Sequence, residues 1–164
     1  MKPGNFFSPF QMEPGNSKWS ATMKAANSGD LKKLEKLVKQ EDINFSTSEK
    51  ITALSLACRS GNFQVAKFLV ANGADGRADR RGFSPLHWAA ISGHADCLLL
   101  ICEKFPGLIN FQDLEGNTAL HWSSRNGRDA CTKILAKNFA DSAVENFQGK
   151  TAAEIAEASA ADAK

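Results

Sequence analysis

Apolar positions in this chain fall into short amphipathic blocks that come round again and again. Val65, Phe68 and Leu69 stand at i, i+3 and i+4, with Lys67 off that face. That spacing makes one apolar stripe along a helix. Ile134 and Leu135 follow the same scheme, with Lys133 outward. A more uniformly apolar block precedes each stripe, as in Ser84-Pro85-Leu86-His87-Trp88-Ala89-Ala90-Ile91-Ser92-Gly93. Ser84 and Thr118 offer a side-chain oxygen to cap a helix N-terminus. Pro85 falls at the first helical position, where a missing N–H costs nothing. Gly93 is able to take the left-handed C-cap. After each amphipathic block comes a polar segment with Gly and Asp, such as Asp75 to Gly82, which is turn chemistry suited to an extended hairpin. The pattern predicts pairs of short helices separated by hairpins, hence an all-α chain.

The pairs are copies of one another. Thr52-Ala53-Leu54-Ser55-Leu56-Ala57-Cys58-Arg59-Ser60-Gly61 aligns with the block at Ser84, and both align with Thr118-Ala119-Leu120-His121-Trp122-Ser123-Ser124-Arg125-Asn126-Gly127. A weaker copy starts at Ser20 and a last one at Thr151. Glycines recur in step at Gly29, Gly61, Gly93 and Gly127, and again at Gly82, Gly116 and Gly149. No single pair can bury its own apolar face, so stacked neighbours must share a continuous core and the terminal copies must be modified as caps.

A period near 33 residues with a T-P-L-H-x-A core resembles the ankyrin repeat. Ser84-Pro85-Leu86-His87 and Thr118-Ala119-Leu120-His121 carry the match best, with Asn72-Gly73-Ala74-Asp75 at the end of the second copy. The resemblance covers residues from about 19 to 158. It implies an ankyrin-repeat solenoid, helix-turn-helix repeats joined by β-hairpin-like loops. The expected organisation is a disordered tail over 1–17 and an array over 18–164. The array divides into an N-cap repeat at 18–48, full repeats at 49–80, 81–114 and 115–147, and a partial repeat at 148–164.

The end copies differ from the middle ones. Lys33 and Lys36 occupy the places filled by Cys97 and Leu100 in the third repeat, as a solvent-facing outer helix requires. After Ile155 the chain turns to Ala and charge, without the Leu or Val anchors of a second helix. Either the first helix of that copy runs on, or the chain is part of a longer one. In the tail, Pro3, Gly4, Pro9, Pro14 and Gly15 disfavour regular structure, while Phe6, Phe7, Phe10 and Met12 form an aromatic cluster. That cluster reads as a plain tail, a short docking motif, or a segment that folds back on the first repeat.

Composition narrows the functional classes. The 164 residues are 43% apolar and 23% charged, near globular averages. A formal net charge of +2 is far below the basic excess of a surface-charge nucleic-acid binder. The longest apolar run is Cys97-Leu98-Leu99-Leu100-Ile101-Cys102, much shorter than the about 20 residues a membrane span needs. Cys58, Cys97, Cys102 and Cys131 form no C-x-x-C pair and read as buried reduced thiols. His87 and His121 fall at the His of the ankyrin signature, where the resemblance implies a structural bridge between neighbouring repeats. The same structural role is expected of His94. The chain shows no paired acids, phosphate loop or zinc spacing, so no catalytic residue, cofactor or metal site is expected.

The resemblance implies a protein-binding scaffold whose partner lies along a concave face of hairpin tips and first helices. Carried onto this chain, the variable places are Arg80, Arg81 and Phe83 in the third repeat and Leu114, Glu115 and Asn117 in the fourth. The places before each glycine add Arg59, Ile91 and Arg125, with the edges of Trp88 and Trp122 beside them. Charge is uneven. Arg59, Lys67, Arg77, Arg80 and Arg81 face only Asp75 and Asp79 in the middle of the chain, whereas acids outnumber bases after Asp129. Such a field steers an oppositely charged partner, and arginine's planar fork suits carboxylate and phosphate. The expected ligand is an extended acidic or phosphorylated protein segment with one or two apolar anchors. Leu99, whose counterparts are Glu35, Lys67 and Lys133, marks a second candidate contact on the outer helices. The leading functional reading is a non-enzymatic adaptor or regulator, monomeric, in the cytoplasm with the nucleus as a second compartment. The alternatives are a targeting module of a larger lipid-transfer or enzymatic protein, and an inhibitor of a partner enzyme.

Overall fold

The computed structural model describes residues 19–162. The tail expected over 1–17 lies outside them. Among the described residues nine α-helices follow, four pairs and a single last one: α1 Ala21–Ser28 and α2 Leu31–Leu37, α3 Ala53–Ser60 and α4 Phe63–Ala71, α5 Pro85–Ser92 and α6 Ala95–Lys104, α7 Ala119–Arg125 and α8 Asp129–Lys137, then α9 Ala152–Asp162. A 3-10 turn at Pro106–Leu108 follows α6. Among the described residues there is no strand, only one antiparallel bridge between Ser46 and Thr52. The first helices α1, α3, α5, α7 and α9 pack on one another in sequence, and α2, α4, α6 and α8 form a second layer behind them. This is the all-α repeat solenoid expected from the pattern.

Local chemistry sets each helix end. Ser20, Thr52 and Ser84 cap α1, α3 and α5, each accepting from a backbone N–H three residues on. Thr151 caps α9 in the same way, and Glu154 returns the bond by accepting the Thr151 N–H at 2.8 Å. The helices α1, α3 and α5 end on left-handed Gly29, Gly61 and Gly93. The core is one continuous apolar cluster from Trp19 and Met23 through Leu54, Leu69, Leu86, Ile91, Leu98 and Ile101 to Leu120 and Leu135. All four cysteines are free and buried in it. Lys33 and Lys36 on α2 are exposed, as a capping helix demands. Beyond Ile155, α9 continues unbroken to Asp162.

The hairpins are built alike. Asp79 N–H donates to the Phe83 carbonyl and Gly82 N–H to the Asp79 carbonyl, both at 3.0 Å. Asp113 with Asn117 and Gly116, and Asn146 with Lys150 and Gly149, repeat this pair of bonds. Neighbouring tips are stitched together. Arg80 N–H donates to the Glu49 carbonyl at 3.0 Å, Leu114 N–H to Arg81 at 3.2 Å, and Phe147 N–H to Glu115 at 3.0 Å. The tips therefore form one row across the repeats, beside the layer of first helices.

Candidate partner-binding surface

The rigid base of this surface is polar and buried. Asp79 Oδ1 accepts the N–H groups of Arg81 and Phe83, and Asp113 Oδ1 accepts those of Glu115 and Asn117. Asn146 Oδ1 does the same for Gln148 and Lys150. One side-chain oxygen thus holds each tip closed, an Asx-type turn. Histidines tie the tips to the helices. His87 Nδ1 accepts from Ser84, and its Nε2–H donates to the Asn117 carbonyl of the next repeat at 3.1 Å. His121 repeats this between Thr118 and the Lys150 carbonyl at 3.0 Å. Burial is the main cause that holds the His87 imidazole below its ordinary pKa, so it stays neutral. His94 also bridges repeats, by a different contact: its ring lies against Gly61 of the preceding repeat.

On that base stand cations over aromatic rings. The Arg81 guanidinium lies 4.8 Å from the Phe83 ring centre and 5.7 Å from that of Trp88. Arg59 lies 6.0 Å from the Trp88 ring centre, and Arg125 lies 5.4 Å from that of Trp122. Phe83 packs between the two indoles, its centroid 5.2 Å from Trp88 and 5.4 Å from Trp122. The rings are in the core and the guanidinium groups lie over them, a cation–π arrangement that restrains otherwise mobile side chains. Burial also pulls the Arg59 pKa below its ordinary value. Arg59 keeps a 3.3 Å bond to Asn27, and Arg80 donates through Nε to the Ser48 carbonyl of the preceding tip.

The candidate residues separate into three groups. Arg80, Arg81, Leu114 and Glu115 are exposed, with Leu114 69% accessible. Arg59 and Arg125 are half-buried. Phe83, Trp88, Ile91, Asn117 and Trp122 are buried. Two of these correct the sequence reading. Ile91, at 1% exposure, turns inward where Arg59 and Arg125 turn outward, because an apolar side chain at this helix position can reach the core. Asn117 lies inside the tip row, donating to Glu115 and accepting from Asn146 Nδ2. Neither side chain is exposed.

The family model for ankyrin repeats in three copies matches residues 22–110, and that for a single ankyrin repeat matches residues 115–147. The chain belongs to the ankyrin-repeat family. Ankyrin repeats are in general protein-interaction modules rather than enzymes. Among relatives, the chain is 33% identical over 107 residues to the Saccharomyces cerevisiae protein named probable 26S proteasome regulatory subunit p28, covering 63% of this chain and 47% of that one. It is 37% identical over 86 residues to Notch-regulated ankyrin repeat-containing protein A of Danio rerio, covering 49% of this chain and 77% of that one. The Homo sapiens Notch-regulated ankyrin repeat-containing protein is 36% identical over 86 residues. The chain thus spans just under half the length of the yeast relative.

Two features of this ankyrin surface escape the sequence reading. Asp79 and Asp113 carry the tips, and the signal was present as Asp79-x-x-Gly82 and Asp113-x-x-Gly116. Their second oxygens differ. Asp113 Oδ2 accepts from the Trp122 indole N–H at 2.7 Å, whereas Asp79 Oδ2 is buried without a hydrogen-bond partner. Burial is the main cause that raises the Asp79 pKa, against the N–H groups of Phe83 and Arg81, the Arg81 charge and the indole of Trp88. On the outer layer Leu99 is 39% exposed. It borders an open groove of about 710 Å³ between α4 and α6, with Phe63, Val70 and Leu100.

Proposed function

We propose that this ankyrin protein is a non-enzymatic adaptor or regulator that holds an extended acidic or phosphorylated segment of a partner protein. The observation that carries the reading is the set of guanidinium groups of Arg59, Arg81 and Arg125 lying over the rings of Trp88, Phe83 and Trp122. Fixed cations lose less side-chain entropy on binding than free ones, and arginine bonds both oxygens of a carboxylate or phosphate. The protein works as a monomer in the cytoplasm or nucleus, with no cofactor and no nucleic acid. The yeast relative is by name a proteasome regulatory subunit, which supports a partner that is itself a subunit of a larger assembly. The alternatives of a targeting module in a larger protein and of an enzyme inhibitor use the same surface.

The test is affinity capture from the source cell's lysate, comparing the wild type with an Arg59→Glu/Arg81→Glu/Arg125→Glu variant shown to be folded by circular dichroism. The variant is expected to lose the partner, because interface arginines each contribute about 2 kcal/mol or more where they are hot spots. Equal capture by both proteins rejects the arginine surface.

A further inference from the structure

We infer that the exposed apolar side chains of Leu114 and Phe147 form a two-step continuation of the arginine surface. They would take two apolar residues of the same extended segment at a fixed spacing from its acidic residue. The inference rests on the proposed arginine reading and adds the register.

The row of tips is the starting point. Ser48, Arg80, Leu114 and Phe147 hold the same place in successive hairpins, since each of the last three donates its N–H to the carbonyl of the tip before it. The row changes character along the array, from polar Ser48 through cationic Arg80 to two large apolar side chains. Leu114 is 69% exposed and Phe147 is 74% exposed. Single exposed apolar residues are ordinary, but here two occupy matched places in adjacent hairpins. The Phe147 ring is also held in position. It lies against Gly116 of the preceding tip, so closely that a Cβ there would come within 2.6 Å of the ring. One face of the ring is therefore fixed on backbone while the side chain remains largely open to solvent.

Charge says what occupies the row. The Arg81 carbonyl accepts the Leu114 N–H, so the first apolar step adjoins the cation that stands over Phe83 and Trp88. On the far side the exposed charges Glu115 and Glu145 are acidic, with Lys150 the exposed base beside them. An occupant with its acid over Arg81 and apolar residues over Leu114 and Phe147 meets attraction at one end and keeps its acid away from those glutamates. A segment laid the other way would bring acid to acid.

The spacing follows from backbone geometry. Hydrogen-bonded limbs lie about 4.8 Å apart, so two-limbed hairpins repeat about every 10 Å. An extended chain advances about 3.3 Å per residue, or about three residues per hairpin. The occupant is therefore an acidic residue followed on one side by apolar residues three and six places away.

The experiment selects binders from displayed random 16-residue segments on the immobilised full chain, then measures Kd by fluorescence anisotropy with synthetic copies. Selected segments should carry the acid and the two apolar residues at intervals of three. A Leu114→Ser/Phe147→Ser variant should weaken them about tenfold to a hundredfold with an unchanged salt dependence. Arg81→Glu should weaken them and flatten the salt dependence. Inserting one residue between the acid and the first apolar residue, which leaves the protein untouched, should weaken binding to the same degree. Unchanged Kd for the serine variant or the lengthened peptide, with loss on Arg81→Glu, overturns the apolar steps and leaves the arginine reading standing. Unchanged Kd for Arg81→Glu overturns both, as does a selection that yields no binder. A dimer of the free protein that dissociates on the serine substitutions makes a second copy the occupant and also overturns the inference.

Discussion

A single imidazole does three jobs at His87: it accepts from the Ser84 cap, donates to the Asn117 carbonyl of the next repeat, and fills core volume at 0% exposure. His87→Ala should therefore cost about 2–4 kcal/mol, from a cavity and the loss of the bonds to Ser84 and to the Asn117 carbonyl, which keeps only the Asp113 N–H, measured by urea unfolding at pH 7.5. Because burial lowers the folded pKa of His87, the unfolded chain binds its proton more readily. The stability this group allows is complete above the ordinary value of 6.5 and is lost as pH falls below it. Asp79 acts in the opposite sense to His87. Asp79 has a raised pKa, so its contribution falls as pH rises from the ordinary 3.8 through the raised value. Asp79→Asn should be neutral or stabilising by up to about 1 kcal/mol and should remove that slope. The model for it is Asn146, which holds its own tip with the same oxygen. Asp113→Asn should cost about 1–3 kcal/mol, since one arrangement of the amide faces its N–H₂ to the Trp122 indole N–H. Guanidine or urea titrations at pH 4 and pH 7 separate the two. The histidines were legible because the signature places them three residues after a Ser or Thr cap. The aspartates were not, because bonds to backbone two and four residues on leave no hydrophobic period to read. Ile91 was misplaced for a related reason: a position matched to Arg59 and Arg125 says where a helix face points, while side-chain chemistry decides whether it is followed.

At the scale of elements, the hairpins depend on how closely their backbones approach. Gly82 stands at φ +81, and a Cβ on it would lie 2.8 Å from the Asp113 Cα and the Leu114 nitrogen. Backbone cannot move aside as a side-chain end can. Gly82→Ala should destabilise by more than the about 1 kcal/mol of the left-handed conformation alone, and thermal unfolding followed by circular dichroism should show it. Gly73→Ala is the control, with φ +90 and open space around its Cβ position, and should show the conformational cost only. Helix pairs were readable from caps, terminal glycines and the i, i+3, i+4 stripe. The stitching of one tip to the next was not, since those bonds join backbone atoms and carry no residue preference beyond the glycine. The Ala-rich stretch after Ile155 is helical, since α9 runs unbroken to Asp162.

Across the whole molecule, stability is a sum over neighbouring interfaces, and those interfaces are not equal. The third and fourth repeats each send an imidazole N–H to the tip that follows. In the second repeat the matching residue is Ser55, which bonds only its own cap at Thr52, and in the first it is Met23. Amide hydrogen exchange should accordingly show α1 and α2 opening at the lowest free energy and α5 to α8 at the highest. Uniform protection would mean one cooperative unit and would reject the graded picture. The basic middle and acidic end of the array were countable from composition along the chain, and the aromatic seats of Arg59, Arg81 and Arg125 turn that count into a shaped surface. The uneven placing of the bridging imidazoles also has a temporal side. Synthesis delivers the first two repeats while the bridged ones are still inside the ribosome. The half that emerges first is thus the half least able to hold itself together. The third repeat gains its bridge only when the Asn117 carbonyl arrives to accept the His87 Nε2–H, so folding of the nascent chain should proceed backwards, from the late repeats toward the early ones.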